Sequence, residues 1–312
     1  SIKRALYHIQ IKQKIKMEKR QDSLKENIKS VAEKFLERIK NKEIFVISHF
    51  DTDGITSATI MTQVLKKLDK KFSVKIIKSL EENFIYNLPK NKVILFLDLA
   101  SASLDYIKKA KLEDVFIIDH HEVIQKIPDG VNIINPWFNG KEKISSAGLV
   151  YLFSKEINPE NNKFAKLAVL GMIGDLMENS IDSLDDKMFN GGDIKKRSGL
   201  LIYPSTRPIN KILEYSSQPY IPGVTGNPEG ITELLREVGI EPLNGKYKSL
   251  IELNEEEMKR LTTSIILRNP KTKNKDIIGN IFLIKFFNKM EDARELSATV
   301  NACSRLGKSD TA

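Results

Sequence analysis

Apolar residues recur three or four positions apart over residues 21–40, where Leu24, Ile28, Val31, Phe35 and Ile39 share one stripe. That spacing predicts an amphipathic helix. From residue 44 onward the pattern changes to short apolar runs. Ile44–Ile47, Val74–Ile77, Val93–Leu97, Val115–Ile118 and Val131–Ile134 have the length and the β-branched content of strands covered on both faces. A helix with Ile55, Ala58, Met61, Leu65 and Leu68 on one side follows the first run, another spans 103–111, and two more lie near 146–156 and 163–174. Strands alternating with helices in this rhythm predict an α/β unit, a parallel sheet with helices on both faces.

Residues 180–230 break the rhythm with Gly191, Gly192, Pro204, Pro208, Pro219, Pro222, Gly223, Gly226 and Pro228. Such turn formers predict a linker with short helices, one of them near 207–215. Helical spacing returns at 229–238 and 254–267, and the apolar stretch Asp276–Phe287 predicts a strand opening a second domain. The expected division is a basic segment and amphipathic helix over 1–40, a catalytic α/β domain over 41–185, a helical linker over 186–270, and the start of a further α/β domain over 271–312. The chain begins at Ser1, with Met17 a candidate natural start, and reaches Ala312 in what reads as the middle of that domain.

A length of 312 residues accommodates two domains, and 41% hydrophobic with 29% charged residues describes an ordinary globular protein. No apolar run approaches the roughly 18 residues of a membrane span. No secretory signal is visible either, so the expected location is cytoplasmic and no membrane partner is expected. Cys303 is the single cysteine, which excludes an intrachain disulfide and fits a reducing compartment. The net charge is +9, with Lys3, Arg4, Lys12, Lys14, Lys16, Lys19 and Arg20 set against Glu18 in the first twenty residues. A polyanionic partner and a merely solvated basic face both account for this surplus.

The candidate chemistry gathers where the predicted strands end. Ser48-His49-Phe50-Asp51-Thr52-Asp53-Gly54 follows the first, Asp98 ends the third, Asp119-His120-His121 ends the fourth, and Gly174-Asp175 closes a helix. Ligands of open parallel sheets bind beyond the carboxyl ends of the strands, so these groups are expected to converge. A lone Asp after a strand is usually a cap or turn residue, but three of the four histidines also fall in these loops. Converging carboxylates repel unless a cation joins them. Aspartates with imidazoles suit Mn²⁺ or Mg²⁺, with Zn²⁺ or Fe²⁺ as alternatives. The surplus of donors suggests two ions about 3.5–4 Å apart.

In order and spacing, His49-Phe50-Asp51-Thr52-Asp53-Gly54, Asp98, Asp119-His120-His121 and Asp175 resemble the four motifs of the DHH phosphoesterases. That superfamily includes RecJ nucleases, oligoribonucleases, cyclic-dinucleotide phosphodiesterases and manganese-dependent pyrophosphatases. Ser205-Thr206-Arg207-Pro208, Leu213-Glu214-Tyr215-Ser216 and Pro219–Gly226 look like the archaeal RecJ-like branch, the GINS-associated nuclease type. Asp292–Ser297 and Asn301–Gly307 resemble the DHHA1 domain that holds nucleic acid in this family; its later glycine-rich motif ending in histidine is not reached before Ala312.

The resemblance implies metal ligation by Asp51, Asp53, Asp98, His120 and Asp175, with Asp98 bridging two divalent ions, Mn²⁺ foremost and Mg²⁺ second. It implies catalytic parts for Asp119, His120 and His121, with Asp119 orienting the histidine pair and His121 meeting the scissile phosphate. The position where many members carry a metal-binding histidine is Ile47 here, which leaves open whether His49 is a ligand. Arg294, Arg305 and Arg207 are candidate phosphate contacts, with a salt bridge from Arg294 to Glu291 or Asp292 as the alternative. Tyr215 and Tyr220 either stack on bases or pack the linker. Ser145-Ser146-Ala147-Gly148 opens a helix as an ordinary cap or as an anion site. The implied activity is exonucleolytic hydrolysis of single-stranded DNA, RNA being a second candidate, with 5′→3′ polarity, in replication or repair. GINS or a helicase is the implied partner. The alternatives are a phosphoesterase of short oligonucleotides or small nucleotides, and a replisome scaffold like a eukaryotic relative that has lost its metal ligands.

Overall fold

The computed structural model describes residues 23–140, 142–184, 186–190, 192–271, 273, 276–308 and 311–312. The basic segment 1–20 lies outside them. The chain forms two compact units, one holding the residues up to Asp185 together with Val300–Ala312, the other Asp186–Thr299.

The first unit is built on a five-stranded sheet. β1 (Ile44–His49), β2 (Phe72–Ile77), β3 (Val93–Leu97), β4 (Val115–Ile118) and β5 (Val131–Ile134) lie in the order β2-β1-β3-β4-β5, and every neighbouring pair is parallel. The parallel α/β expectation holds. β3 and β4 are buried along their whole length, as apolar runs in the middle of a two-faced sheet must be. β2 is an edge strand with Val74 exposed, which is why Lys75 is tolerated within it.

Alternation along each strand divides the core. Ile94, Phe96, Val115 and Ile117 face the side covered by the segments carrying Ile85, Leu104 and Ile107. Phe116 faces the other side, where its ring meets Phe35 edge-on at 5.1 Å, and Phe35 in turn meets Phe153 at 5.5 Å. Phe35 belongs to α1 (Leu24–Arg38), the predicted amphipathic helix. It starts with a capping box between Ser23 and Glu26, and it buries Leu24, Ile28, Val31 and Phe35. α2 (Thr52–Lys67) carries Ile55, Ala58, Met61 and Leu65 inward, as their spacing predicts.

The next helices are α3 (Glu82–Tyr86), α4 (Leu104–Ala110), α5 (Ser146–Ile157) and α6 (Ala165–Gly174). Only ten residues of the predicted 163–174 helix are α-helical; the preceding Pro159–Phe164 is a 3₁₀ helix. α2, α5 and α6 pack against one another. Gly171 is what lets them approach: a Cβ there would lie 2.4 Å from Ala147 Cβ and 2.5 Å from Thr56 Oγ1.

The second unit contains strands that the apolar pattern hides. β6 (Ile194–Leu200), β7 (Ile278–Phe286) and β8 (Lys289–Asp292) form an antiparallel sheet in that order. β6 lies inside the stretch expected to be a helical linker, and it pairs residue by residue with the strand expected to open a separate domain. Its Lys195-Lys196-Arg197-Ser198 centre is polar, and only pairing makes it a strand. Helices α7 (Ile209–Tyr215), α8 (Pro228–Glu237) and α9 (Glu255–Arg268) share one apolar cluster with Leu200, Ile281 and Leu283 of this sheet. α10 (Ala293–Arg305) follows β8. Asp292 accepts from Ser205 N and from Arg294 N, at 2.8 Å each, and from the Ser205 hydroxyl at 2.5 Å.

Candidate metal centre

Every component of the site sits just past a strand end or at a helix terminus. His49 is the last residue of β1, and Asp51 caps α2 by accepting from Gly54 N at 3.0 Å. The turn is so tight that a Cβ on Gly54 would lie 2.3 Å from the His49 carbonyl oxygen. It places Asp53 in the first turn of α2 rather than in a loop.

Asp98 follows β3 with a φ of 59°, a left-handed conformation that aspartate tolerates better than most residues. Asp119, His120 and His121 follow β4, Asn135 follows β5, and Asp175 is the C-cap of α6.

These groups converge. His120 Nε2 lies 2.9 Å from Asp175 Oδ2, 3.5 Å from Asp98 Oδ1 and 3.9 Å from Asp53 Oδ2. His49 Nδ1 lies 2.8 Å from Asp51 Oδ2 and 3.4 Å from Asp98 Oδ2. Two triads of donor atoms, His49/Asp51/Asp98 and Asp53/His120/Asp175, each fall within 4.8 Å of one another. The two carboxylate oxygens of Asp98 face different ways, Oδ2 toward His49 and Oδ1 toward His120.

Neutral donors hold the carboxylates from behind. Asp53 is wholly buried and accepts from the Ser145 hydroxyl (2.6 Å), Ser146 N (2.8 Å) and Ala147 N (2.9 Å) at the start of α5. Ser146 Oγ donates to Asp98 Oδ1 at 2.9 Å. The helix N-terminus read as a cap or an anion site therefore binds the carboxylate of Asp53.

Asp119, also wholly buried, accepts from Ser101 N at 3.0 Å and pairs with His121 Nδ1 at 2.7 Å. Of the two imidazoles, its carboxylate pairs with that of His121. His121 Nδ1 also lies 3.9 Å from Asp98, but the closer Asp119 commits that nitrogen, which leaves Nε2 as the open one. The His121 side chain is 53% exposed, against 13% for His120. Asn135 Nδ2 donates to the His121 carbonyl and Trp137 Nε1 to the His120 carbonyl, fixing the backbone of the pair.

Burial opposes charge on His120, yet the carboxylates of Asp175, Asp98 and Asp53 outweigh it and push the imidazole up to about 11. Burial likewise opposes charge on His49, but Asp51 and Asp98 bring it up to about 10. Burial would raise Asp98, but His120 and His49 hold it well below the usual carboxylate range. Asp53 moves the other way: burial, then the charges of Asp98 and Asp175, push it well up. Burial would raise Asp119 too, but its bond to His121 lowers it, and the same bond raises His121.

The fit to a metal can be read from the atoms themselves. His49 Nδ1, Asp98 Oδ2 and His120 Nε2 are buried without a hydrogen-bond partner, although each faces a neighbouring donor or acceptor. Imidazole nitrogens set 2.8 and 2.9 Å from carboxylate oxygens outside hydrogen-bond geometry fit coordination to a shared cation. A set of carboxylate oxygens and imidazole nitrogens suits Mn²⁺ or Mg²⁺.

The candidate phosphate contacts sit differently. Arg207 is paired with Glu295 at 2.7 Å, Arg294 is half-buried with its backbone N on Asp292, and Arg305 is exposed. Tyr215 and Tyr220 are 75% and 58% exposed, so neither packs into the core of its unit. Ser101, Asn135 and Trp137 were not singled out from sequence. Asn135 had a visible signal, since it directly follows β5 as Asp98 follows β3, but an amide does not stand out in a search for titratable groups.

A parallel sheet whose strand ends gather carboxylates and imidazoles in this way fits a metal centre. Residues 43–172 match the DHH family, N-terminal domain, and residues 202–276 match the DHH-CID domain, where a linker was expected. The chain belongs to the DHH family and is RecJ-like.

Among relatives, an uncharacterized protein of Methanocaldococcus jannaschii is 28% identical, over 92% of this chain and 67% of its own. The putative SPbeta prophage-derived single-strand DNA-specific exonuclease YorK of Bacillus subtilis is 25% identical, over 62% of this chain and 35% of its own. The single-stranded-DNA-specific exonuclease RecJ of Bacillus subtilis is 26% identical, over 48% and 21%. The chain thus spans about a third or less of the length of the two named exonucleases. CDC45 from Entamoeba histolytica shares the fold, with a TM-score of 0.63 at 15% identity over 86% of this chain and 62% of that one.

Proposed function

We propose that this protein is a metal-dependent exonuclease that hydrolyses phosphodiester bonds of single-stranded DNA, with RNA as a second substrate, in the 5′→3′ direction, during replication or repair. The observation that carries the reading is the pair of donor triads, with Asp98 in the first and its Oδ1 3.5 Å from His120 of the second. Asp51, Asp98 and His49 would hold one divalent ion, and Asp53, His120 and Asp175 the other, with Asp98 shared. When bound, such ions neutralise phosphate charge and make a nucleophile available from water near neutral pH.

The chain's own groups supply the rest. Asp119 holds Nδ1 of His121, so that Nε2 is the nitrogen presented to a phosphate oxygen, and the same bond raises the pKa of His121. Ser145, Ser146 and the first amides of α5 fix Asp53 and Asp98 before any ion arrives, so binding costs little rearrangement. The named single-strand exonucleases among the relatives support the substrate class, and the basic surplus of the chain suits it.

The test is digestion of end-labelled single-stranded DNA and RNA with Mn²⁺, beside the Asp119→Ala variant. Stepwise shortening from the 5′ end by the wild type, lost in the variant, is the expected result. Undiminished cleavage by Asp119→Ala overturns the assignment.

A further inference from the structure

The residue after Asp175 is built against its own backbone. Asp175 is the C-cap of α6; Leu176 N donates to the Ile173 carbonyl at 3.1 Å, and Met177 N donates to the Met172 carbonyl at 2.8 Å. This double bond pattern ends a helix through a left-handed residue, a position where glycine is strongly preferred because it has no Cβ. Here that position is a leucine with φ 56°. Its side chain is also 84% exposed, while Met172 and Ile173 just before it are buried. A left-handed leucine bears the steric conflict of its Cβ, and an exposed one recovers nothing from burial. Glycine would close the same turn without either cost. Strain retained where the free protein gains nothing from it points to a role in the bound state.

The neighbour decides which role. Asp175 Oδ2 lies 2.9 Å from His120 Nε2, so the leucine adjoins a residue of the metal centre. We infer that Leu176 is a substrate-positioning residue, an apolar platform at the edge of the site against which the base next to the scissile phosphate packs. This rests on the nuclease reading above. The rigid cap holds the platform at a fixed offset from Asp175, so packing on Leu176 sets how far the terminal nucleotide enters. An aliphatic contact has no hydrogen-bonding preference, so the platform accepts any of the four bases.

The test compares wild type, Leu176→Gly and Leu176→Met on two single-stranded oligonucleotides, one ordinary and one with an abasic terminal nucleotide. Three quantities are read: kcat/KM, the anisotropy of a fluorescent strand, and Tm. Leu176→Gly is expected to raise Tm by about 2–4 °C through relief of the left-handed strain. It should lower kcat/KM on the ordinary strand about tenfold, the scale of one partly buried leucine, and lose far less on the abasic strand. Leu176→Met should restore most of the loss.

A fall in Tm for Leu176→Gly would show that the side chain packs on the protein itself and would overturn the inference. So would an unchanged kcat/KM on the ordinary strand. If the wild type cleaves neither strand, the nuclease reading fails, and anisotropy then judges the contact: equal affinity of wild type and Leu176→Gly for the ordinary strand rejects it, and a tenfold weaker variant upholds it.

Discussion

Loading Mn²⁺ onto the metal-free protein at pH 8 displaces protons, and their number follows from the geometry. His49 and His120 are held up to about 10 and about 11 by the carboxylates around them. At pH 8 each is then about 99% protonated, whereas an unperturbed imidazole of pKa 6.5 would be about 3% protonated. A metal accepts only the neutral imidazole, so each histidine that becomes a ligand releases close to one proton. Loading therefore releases about two protons per chain from these groups. Calorimetric titrations of Mn²⁺ in two buffers of different ionisation enthalpy give the number from the difference in apparent heat. A His49→Gln variant should release about one proton fewer, which also decides whether His49 is a ligand. Release of less than about half a proton by the wild type would refute the account, because the imidazoles would then not carry the charge that the cluster imposes.

The same linkage gives stability a sign. Raised imidazole pKa values stabilise the metal-free fold fully below about 6.5, and that contribution is lost as pH rises through about 10 and about 11. The Tm of the metal-free protein should fall from pH 7 to pH 11, and by clearly less with Mn²⁺ present; parallel curves would contradict this. Gly171→Ala forces a Cβ to within 2.4 Å of Ala147 Cβ and 2.8 Å of Asp53 Oδ1. The overpacking costs about 1–3 kcal/mol, a Tm loss of about 2–10 °C. Mn²⁺ affinity should weaken with it, and an unchanged Tm would show that α6 can retreat. Arg207→Ala removes an exposed pair with Glu295, so thermal unfolding should change by no more than about 1 kcal/mol. A larger loss would assign that pair a structural role.

Much of the centre was legible because strand ends are legible. Asp98 and Asp119 follow unbroken apolar runs, so the edge they occupy could be foreseen without coordinates. The histidines were conspicuous through scarcity. What stayed hidden depends on tertiary neighbours. Ser101, Asn135 and Trp137 carry no charge, and only the assembled sheet shows that they hold Asp119 and the His120–His121 backbone. Gly171 looked like an ordinary helix residue until its distance to Asp53 was known.

In the second unit, the polar strand β6 was hidden in an expected linker, and β8, with the sequence Lys-Met-Glu-Asp, shows no alternation of its own. Arg294 was weighed as a salt-bridge partner of Asp292. The Asp292 carboxylate is also a junction, joining Ser205 to the start of α10 through the backbone of Arg294. Such a link runs across 87 residues of sequence and leaves no local pattern.

On the proposed reading, one sheet edge holds two divalent ions through a shared Asp98. Equilibrium dialysis against Mn²⁺, with the bound metal counted per chain by elemental analysis, tests it most directly. Saturation at about two ions for the wild type and loss of at least one in Asp98→Ala is the expected result. No saturable uptake, or full uptake by Asp98→Ala, would contradict it.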